Sequence, residues 1–170
     1  MFRPLITRSL PRATRTVSTA SRSSLPVNIT GSGTGTIQKV AIPGKPYTFT
    51  ADTYTVLGGL DSAPSPVSYS LASLSTCNQV TGSLVAKDLG IKLGEWKVDV
   101  EGILPTDVLV QGKEGNANWE KVTLVAKVQT DADEAGFQKF VDEVERRCPI
   151  TQLFQRSGVE WVSKWENVKL

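Results

Sequence analysis

One segment of the chain, from Gly58 to Gly90, carries the signals of a long helix. Pro66 suits the first position of a helix, where its missing N–H costs nothing. After it, apolar or small residues recur at spacings of three and four, which is typical of one helical face: Leu71, Leu74, Cys77, Thr81, Leu84 and Val85. Serine, alanine and glycine fill much of the remainder, so other parts of the chain can approach closely. The segment therefore predicts a buried central helix that carries a cysteine near its middle.

The residue types that the chain lacks exclude several kinds of chemistry. With 170 residues and no histidine, it has no Ser–His or Cys–His nucleophile pair and few options for zinc. Its two cysteines, Cys77 and Cys148, are too far apart in the sequence to form a CxxC redox pair. We expect no metal and no cofactor. These two thiols are then the only groups in the sequence suited to nucleophilic redox chemistry.

Residues 1–24 differ in composition from the rest of the chain. They hold five arginines, many serines and threonines and no acidic residue, and they lack a continuous apolar run. This pattern predicts a mitochondrial transit peptide and a matrix location, with a basic tail for an acidic partner as the alternative. Residues 25–170 hold the other 14 of the 19 basic residues and all 17 acidic ones. They therefore form a mildly acidic domain with no signature of nucleic-acid binding. No apolar run is long enough to span a membrane.

Strand and helix patterns alternate along residues 25–170. Thr36–Val40 and Tyr47–Val56 are β-branched and aromatic, and three regularly spaced glycines before them suggest a flexible lead-in. Glu95–Gly102 and Trp119–Thr130 alternate apolar and polar residues, as a strand with one wet face does. A helix with acidic capping residues follows Asp131, and a last strand runs from Val159 to Leu170. This order indicates an α+β fold with antiparallel sheets.

Cys148 lies at a junction between two predicted helices. Pro149 ends the first helix at or before the cysteine and can open a second, from Pro149 to Arg156. Cys148 then takes the N-cap position, beside unpaired backbone N–H groups whose partial positive charge favours a thiolate. On residue pattern alone, a lone cysteine on an apolar helical stripe, such as Cys77, is usually a small buried hydrophobe.

The sequence GGLDSAPSPVSYSLASLSTC, followed much later by ERRCPITQLF, resembles the OsmC-like family, which includes the organic hydroperoxide resistance proteins. The resemblance covers residues from about 30 to 170. It implies an intertwined homodimer in which antiparallel sheets surround the two long central helices. It also implies that Cys77 is the peroxidatic thiol and Cys148 the resolving thiol, with organic hydroperoxides as substrates and a dithiol as reductant.

Two positions depart from the family pattern. Peroxidase members place a glutamate soon after the proline of the central helix, where this chain has Val67 and Ser68. They also place an arginine in the N-terminal strands, whereas no arginine lies between Arg22 and Cys77. Two functions therefore remain open: a two-cysteine peroxidase with an apolar pocket, and a dimeric OsmC-like binding module for a small apolar ligand. The apolar wall candidates are Leu71, Leu74, Phe137 and Phe140.

Overall fold

The computed structural model describes residues 23–170, so most of the predicted transit peptide lies outside the described residues. Ten regular elements and one short 3-10 helix, Thr55–Leu57, follow one another. In chain order the ten are β1 (Thr30–Thr34), β2 (Ile37–Ala41), β3 (Thr48–Ala51), α1 (Pro66–Leu89), β4 (Leu93–Ile103), α2 (Asp107–Gln111), β5 (Lys121–Thr130), α3 (Glu134–Arg147), α4 (Pro149–Arg156) and β6 (Glu160–Lys169). The fold is α+β, as the order of patterns predicts.

The strands form two separate three-stranded sheets. In the first, β1, β2 and β3 are antiparallel neighbours. In the second, β4 pairs antiparallel with β5, but β5 pairs parallel with β6. A parallel pair needs a long crossover, and α3 and α4 together supply it. The second sheet is therefore mixed, and the connection that makes it so also carries Cys148.

The core lies between the second sheet and the helices. On β5 the predicted inward positions are all fully buried: Val122, Leu124, Ala126 and Val128. Leu74 and Val85 of α1 and Phe140 and Val144 of α3 are buried against them. Trp96 and Trp165 pack edge-on against Phe140, with ring centroids 6.0 and 6.5 Å away. Both tryptophans thus serve sheet packing, as their alternation with polar residues predicts.

Helix α1 begins at Pro66, as predicted, and is capped at both ends. Ser65 caps its start by accepting a hydrogen bond from the Ser68 N–H at 3.2 Å, and Pro66 takes the first turn. Gly90 ends it with a left-handed φ of 70°, a conformation that glycine adopts without a steric penalty. One face of α1 is buried, whereas Val80 and Leu84 on another face are 64% and 55% exposed. In the isolated chain, α1 is therefore buried on one side only.

The N-terminal strands differ from the pattern-based expectation in two ways. The glycine-rich lead-in forms β1, because Gly33 permits a close approach to the backbone of Ile37 that a side chain would block. The strand expected over Tyr47–Val56 ends at Ala51, because the buried Asp52 side chain redirects the chain. Its carboxylate accepts hydrogen bonds from the Thr53, Leu60 and Ser62 N–H groups at 2.7, 3.1 and 3.0 Å. The loop that leads to α1 is thus wrapped around one buried charge.

Candidate functional site

The structure brings Cys77 and Cys148 together. Cys77 lies in the middle of α1 and is partly exposed, whereas Cys148 lies between α3 and α4 and is fully buried. Both are free thiols, and they are close enough that each shifts the pKa of the other. The pair is therefore asymmetric: Cys77 is partly exposed and Cys148 is fully buried.

The contact between α1 and α4 rests on two buried polar side chains beside the cysteines. Asn78 follows Cys77, Thr151 lies three residues after Cys148, and both are fully buried. The Asn78 amide donates to the Thr151 hydroxyl at 3.0 Å and to the Leu74 carbonyl at 2.8 Å. Buried polar groups are costly unless they are hydrogen-bonded, so this pair helps to fix how the two helices meet.

Cys148 caps the start of α4, as the Cys-Pro junction predicts. Its sulfur accepts a hydrogen bond from the Thr151 N–H at 3.4 Å. Its own N–H still donates to the Val144 carbonyl at 2.9 Å and so ends α3. The kink between the two helices therefore holds the sulfur against the open N–H groups of a helix start, where negative charge is stabilised.

The two thiols differ in acidity. Burial raises the pKa of Cys77, and the neighbouring Cys148 thiol raises it further, against smaller opposite effects of Ile150 and Thr81. Burial also acts to raise the pKa of Cys148, but the hydroxyl and N–H of Thr151 and the Cys77 thiol outweigh it. The pKa of Cys148 therefore lies below its ordinary value, and Cys148 is the more acidic thiol.

The cations near Cys148 are engaged in ion pairs. Arg146 binds Glu143 through two hydrogen bonds of 2.9 and 2.7 Å, and Arg147 binds Asp88 at 2.6 Å. Both guanidinium groups therefore have carboxylate partners. Within residues 23–170, no group of three or more cysteine, aspartate and glutamate side chains is arranged to hold a metal ion.

An apolar cleft of about 1000 Å³ lies beside the first turns of α1. Val67 and Leu71 line it on the α1 side, and Leu104, Leu109 and Trp119 line it on the other. Of the four apolar wall candidates, only Leu71 lines it, because Leu74, Phe137 and Phe140 are packed in the core. Cys77 is six residues beyond Leu71, which is about 9 Å along the helix. The cleft and the thiol pair are thus neighbouring but distinct features.

Sequence reasoning missed three polar residues of this region: Asp52, Asn78 and Thr151. Asn78 carries a local signal, since it is a polar residue one step from an apolar stripe. Asp52 also stands out as an acid in a β-branched run, but its five hydrogen-bond donors come from residues distant in the sequence as well as from its neighbour. Thr151 has no such signal, because its role depends on a helix that lies 73 residues earlier.

A family model described as OsmC-like protein matches residues 59–164, a span that includes both cysteines. The chain belongs to the OsmC-like family. No curated protein matches it. No helix of the described residues is long and apolar enough to cross a membrane.

Solved structures share the OsmC-like fold. An OsmC-like protein from Mycoplasma pneumoniae is 19% identical with a TM-score of 0.71, covering 86% of this chain and 99% of that one. An organic hydroperoxide resistance protein from Elizabethkingia anophelis is 21% identical with a TM-score of 0.67, covering 86% and 99%. The organic hydroperoxide resistance protein OhrB of Bacillus subtilis is 17% identical with a TM-score of 0.56, covering 84% and 98%. At these identities the likeness establishes the fold of the OsmC-like chain.

Proposed function

We propose that this OsmC-like protein is a thiol-dependent peroxidase that reduces organic hydroperoxides in oxidative-stress defence. The single observation that carries the proposal is the meeting of a partly exposed thiol, Cys77, with a buried thiol, Cys148. A two-cysteine cycle needs that arrangement, because the first sulfur must meet the peroxide and the second must reach the first.

The cycle begins when the Cys77 thiolate attacks the outer oxygen of the hydroperoxide. A sulfur–oxygen bond forms, the O–O bond breaks, and the alkoxide leaves and takes a proton to become an alcohol. Cys77 is then a sulfenic acid. The Cys148 thiolate attacks the Cys77 sulfur, the S–O bond breaks as a disulfide forms, and the leaving hydroxide takes up a proton to become water. A dithiol reductant finally restores both thiols by thiol–disulfide exchange.

We expect organic hydroperoxides rather than hydrogen peroxide to be the substrates, because an apolar cleft lies along α1 near Cys77. The cleft beside α1 is mostly apolar, with Val67, Leu71 and Trp119 in its lining, and would favour a substrate with a hydrocarbon part. Two of the structures with the same fold are organic hydroperoxide resistance proteins, which supports the same substrate class.

We further propose a homodimer in the mitochondrial matrix. Val80 and Leu84 leave an apolar strip exposed on the central helix, which a second copy of the chain would cover. The basic, acid-free composition of residues 1–24 supports the location, and a reducing matrix would keep both cysteines as thiols between cycles.

The second candidate function is a dimeric binding module for a small apolar ligand. It is favoured by the cleft of about 1000 Å³ and by Val67, an apolar side chain where peroxidase members carry a carboxylate. In this case both cysteines are structural and no turnover occurs.

The deciding experiment follows consumption of an alkyl hydroperoxide by the purified chain with a dithiol reductant. We expect turnover by the wild type and loss to background in Cys77→Ser. Because burial raises the pKa of Cys77, the rate should also rise with pH above neutrality. The matched control is Ser83→Ala on the exposed part of α1, which should keep the wild-type rate. Equal background rates in wild type and Cys77→Ser would leave the binding module as the better account.

A further inference from the structure

Among the residues that the structure describes, the lining of the cleft beside α1 carries a single formal charge, and that charge is negative. It belongs to Asp52, and no lysine or arginine of residues 23–170 lines the cleft. The other lining side chains are uncharged: Leu71, Leu104 and Leu109 are among the apolar ones, and the polar ones are hydroxyls of serine, threonine and tyrosine. An acidic ligand in this cleft would therefore meet an acid and no base.

Asp52 is held in its ionised form although it is fully buried. One carboxylate oxygen accepts hydrogen bonds from the Thr36 hydroxyl and the Thr53 N–H at 2.9 and 2.7 Å. The other accepts them from the Leu60 N–H, the Ser62 N–H and the Ser62 hydroxyl at 3.1, 3.0 and 2.8 Å. Donors of this kind stabilise a carboxylate without neutralising it, because none of the five carries a charge. The cleft therefore keeps a negative charge in its wall.

The same cleft offers a hydroxyl proton to an uncharged ligand. The Ser65 and Ser68 hydroxyls both belong to its lining, and their oxygens lie 2.8 Å apart in a shared hydrogen bond. Two hydroxyls have two protons, and the bond between them uses one of these, whichever serine is the donor. The second proton can be donated to a ligand oxygen, such as that of an alcohol, an ester or a hydroperoxide.

We propose that the cleft binds ligands that combine a hydrocarbon chain with an uncharged polar group, and that it excludes carboxylates of the same chain length. For the peroxidase, the substrates would then be hydroperoxides whose polar groups are all uncharged. The inference rests on the proposed function in calling the ligand a substrate. The same choice of ligand applies if the cleft belongs to a binding module.

Two effects act on a charged ligand in this cleft. Any charged group loses water when it enters an apolar site, and this costs free energy for a carboxylate and for an ammonium group alike. The charge of Asp52 then repels the carboxylate and attracts the ammonium group. At equal chain length, an uncharged group should therefore bind most tightly and a carboxylate least tightly. Loss of water alone would make the two ions equally weak.

The test compares decanol, decylamine and decanoate, three probes with the same chain length and different charge. Isothermal titration calorimetry on the full chain at neutral pH gives their affinities. We expect decanoate to bind about tenfold more weakly than decylamine, and decylamine no more tightly than decanol. Trp119 lines the cleft, so binding there should change the tryptophan fluorescence, and Trp119→Phe should reduce that change.

Two variants at exposed apolar residues test whether the charge of the cleft sets this order. Val110 of α2 lines the cleft and is 51% exposed, so Val110→Lys places a cation there with little expected effect on folding. It should raise the affinity for decanoate about tenfold and lower that for decylamine. Leu153→Lys on α4 is the matched control: Leu153 is 64% exposed and lies outside the cleft lining, so all three affinities should stay unchanged.

The proposal is overturned if decanoate binds as tightly as decylamine, or if Val110→Lys and Leu153→Lys change decanoate binding equally. It is also overturned if no probe binds, the result expected when a second copy of the chain fills the cleft. None of the probes is a peroxide, so these measurements are independent of turnover. A protein that consumes hydroperoxides but binds decanoate as tightly as decylamine would refute this inference alone, and one that shows the expected order without turnover would refute the peroxidase alone.

Discussion

Asn78 and Thr151 share a buried hydrogen bond of 3.0 Å, and each lies within one helical turn of a cysteine. The bond joins α1 to α4 at the level where the two sulfurs meet. A small displacement of either helix would separate both pairs at once. The polar contact and the thiol pair are therefore parts of the same piece of structure.

Replacing Cys148 should stop the cycle at its first product. One equivalent of organic hydroperoxide without reductant should remove both free thiols from the wild type by forming a disulfide. In Cys148→Ser, Cys77 should instead persist as a sulfenic acid that a trapping reagent captures, as seen by intact mass. Cys77→Ser should keep its remaining thiol and serves as the control. A wild type that retains two thiols after peroxide would contradict the cycle.

Asp52→Asn should lower the stability of the protein and make that stability less dependent on pH in the acidic range. The Ser62 N–H lowers the pKa of Asp52 most, burial opposes this, and the Ser62 hydroxyl, Thr53 and Thr36 add to the lowering. With a folded pKa below the unfolded value of about 3.9, the stabilisation is complete above that value and is lost progressively as pH falls from there through the folded pKa.

Thermal melts between neutral pH and pH 2 measure the Asp52 effect. The wild-type melting temperature should fall steeply at the acidic end, whereas Asp52→Asn should begin several degrees lower at neutral pH and change less. The exposed Asp61 lies in the same loop, and Asp61→Asn is the matched control. Parallel pH curves for wild type and Asp52→Asn would show that the buried carboxylate contributes no pH dependence.

Gly82→Ala should destabilise the protein although alanine favours a helix by about 1 kcal/mol over glycine. A methyl group at position 82 would collide with the Trp96 indole and press on Phe140. Trp96 is itself packed against Phe140 and Trp165, so it has little room to move. We expect a net loss of about 1–3 kcal/mol in urea unfolding. The exposed neighbour Ser83→Ala should stay within about 0.5 kcal/mol of wild type, and a Gly82→Ala variant as stable as Ser83→Ala would refute the packing argument.

Leu84→Glu should convert the proposed homodimer into a monomer. Leu84 is 55% exposed on α1, so the substitution should change the stability of the isolated chain little. In a dimer that uses this face, however, it would bury a charge in the interface. Sedimentation velocity measures the change, with Lys164→Glu on the exposed side of β6 as the control. A wild type that sediments as a monomer, or a Leu84→Glu protein that remains dimeric, would exclude this face as the interface.

Much of the fold could be predicted because its signals are local. The alternation on β5, the Ser65–Pro66 start of α1 and the Cys148–Pro149 junction each depend on residues within a few positions of one another. The early end of β3 could not be predicted, because it depends on donors up to 16 residues away that gather around Asp52. The parallel pairing of β5 with β6 likewise follows from where the α3–α4 crossover packs.

The sequence by itself determined that any nucleophilic redox chemistry in this chain would depend on its two thiols, and it predicted that Cys148 caps a helix. Only the tertiary structure decided that Cys77 lies beside Cys148 and that Asn78 and Thr151 join α1 to α4 next to them. The physical reason is one of range. A helix cap depends on a few adjacent residues, whereas a contact between two distant helices depends on the packing of the whole core.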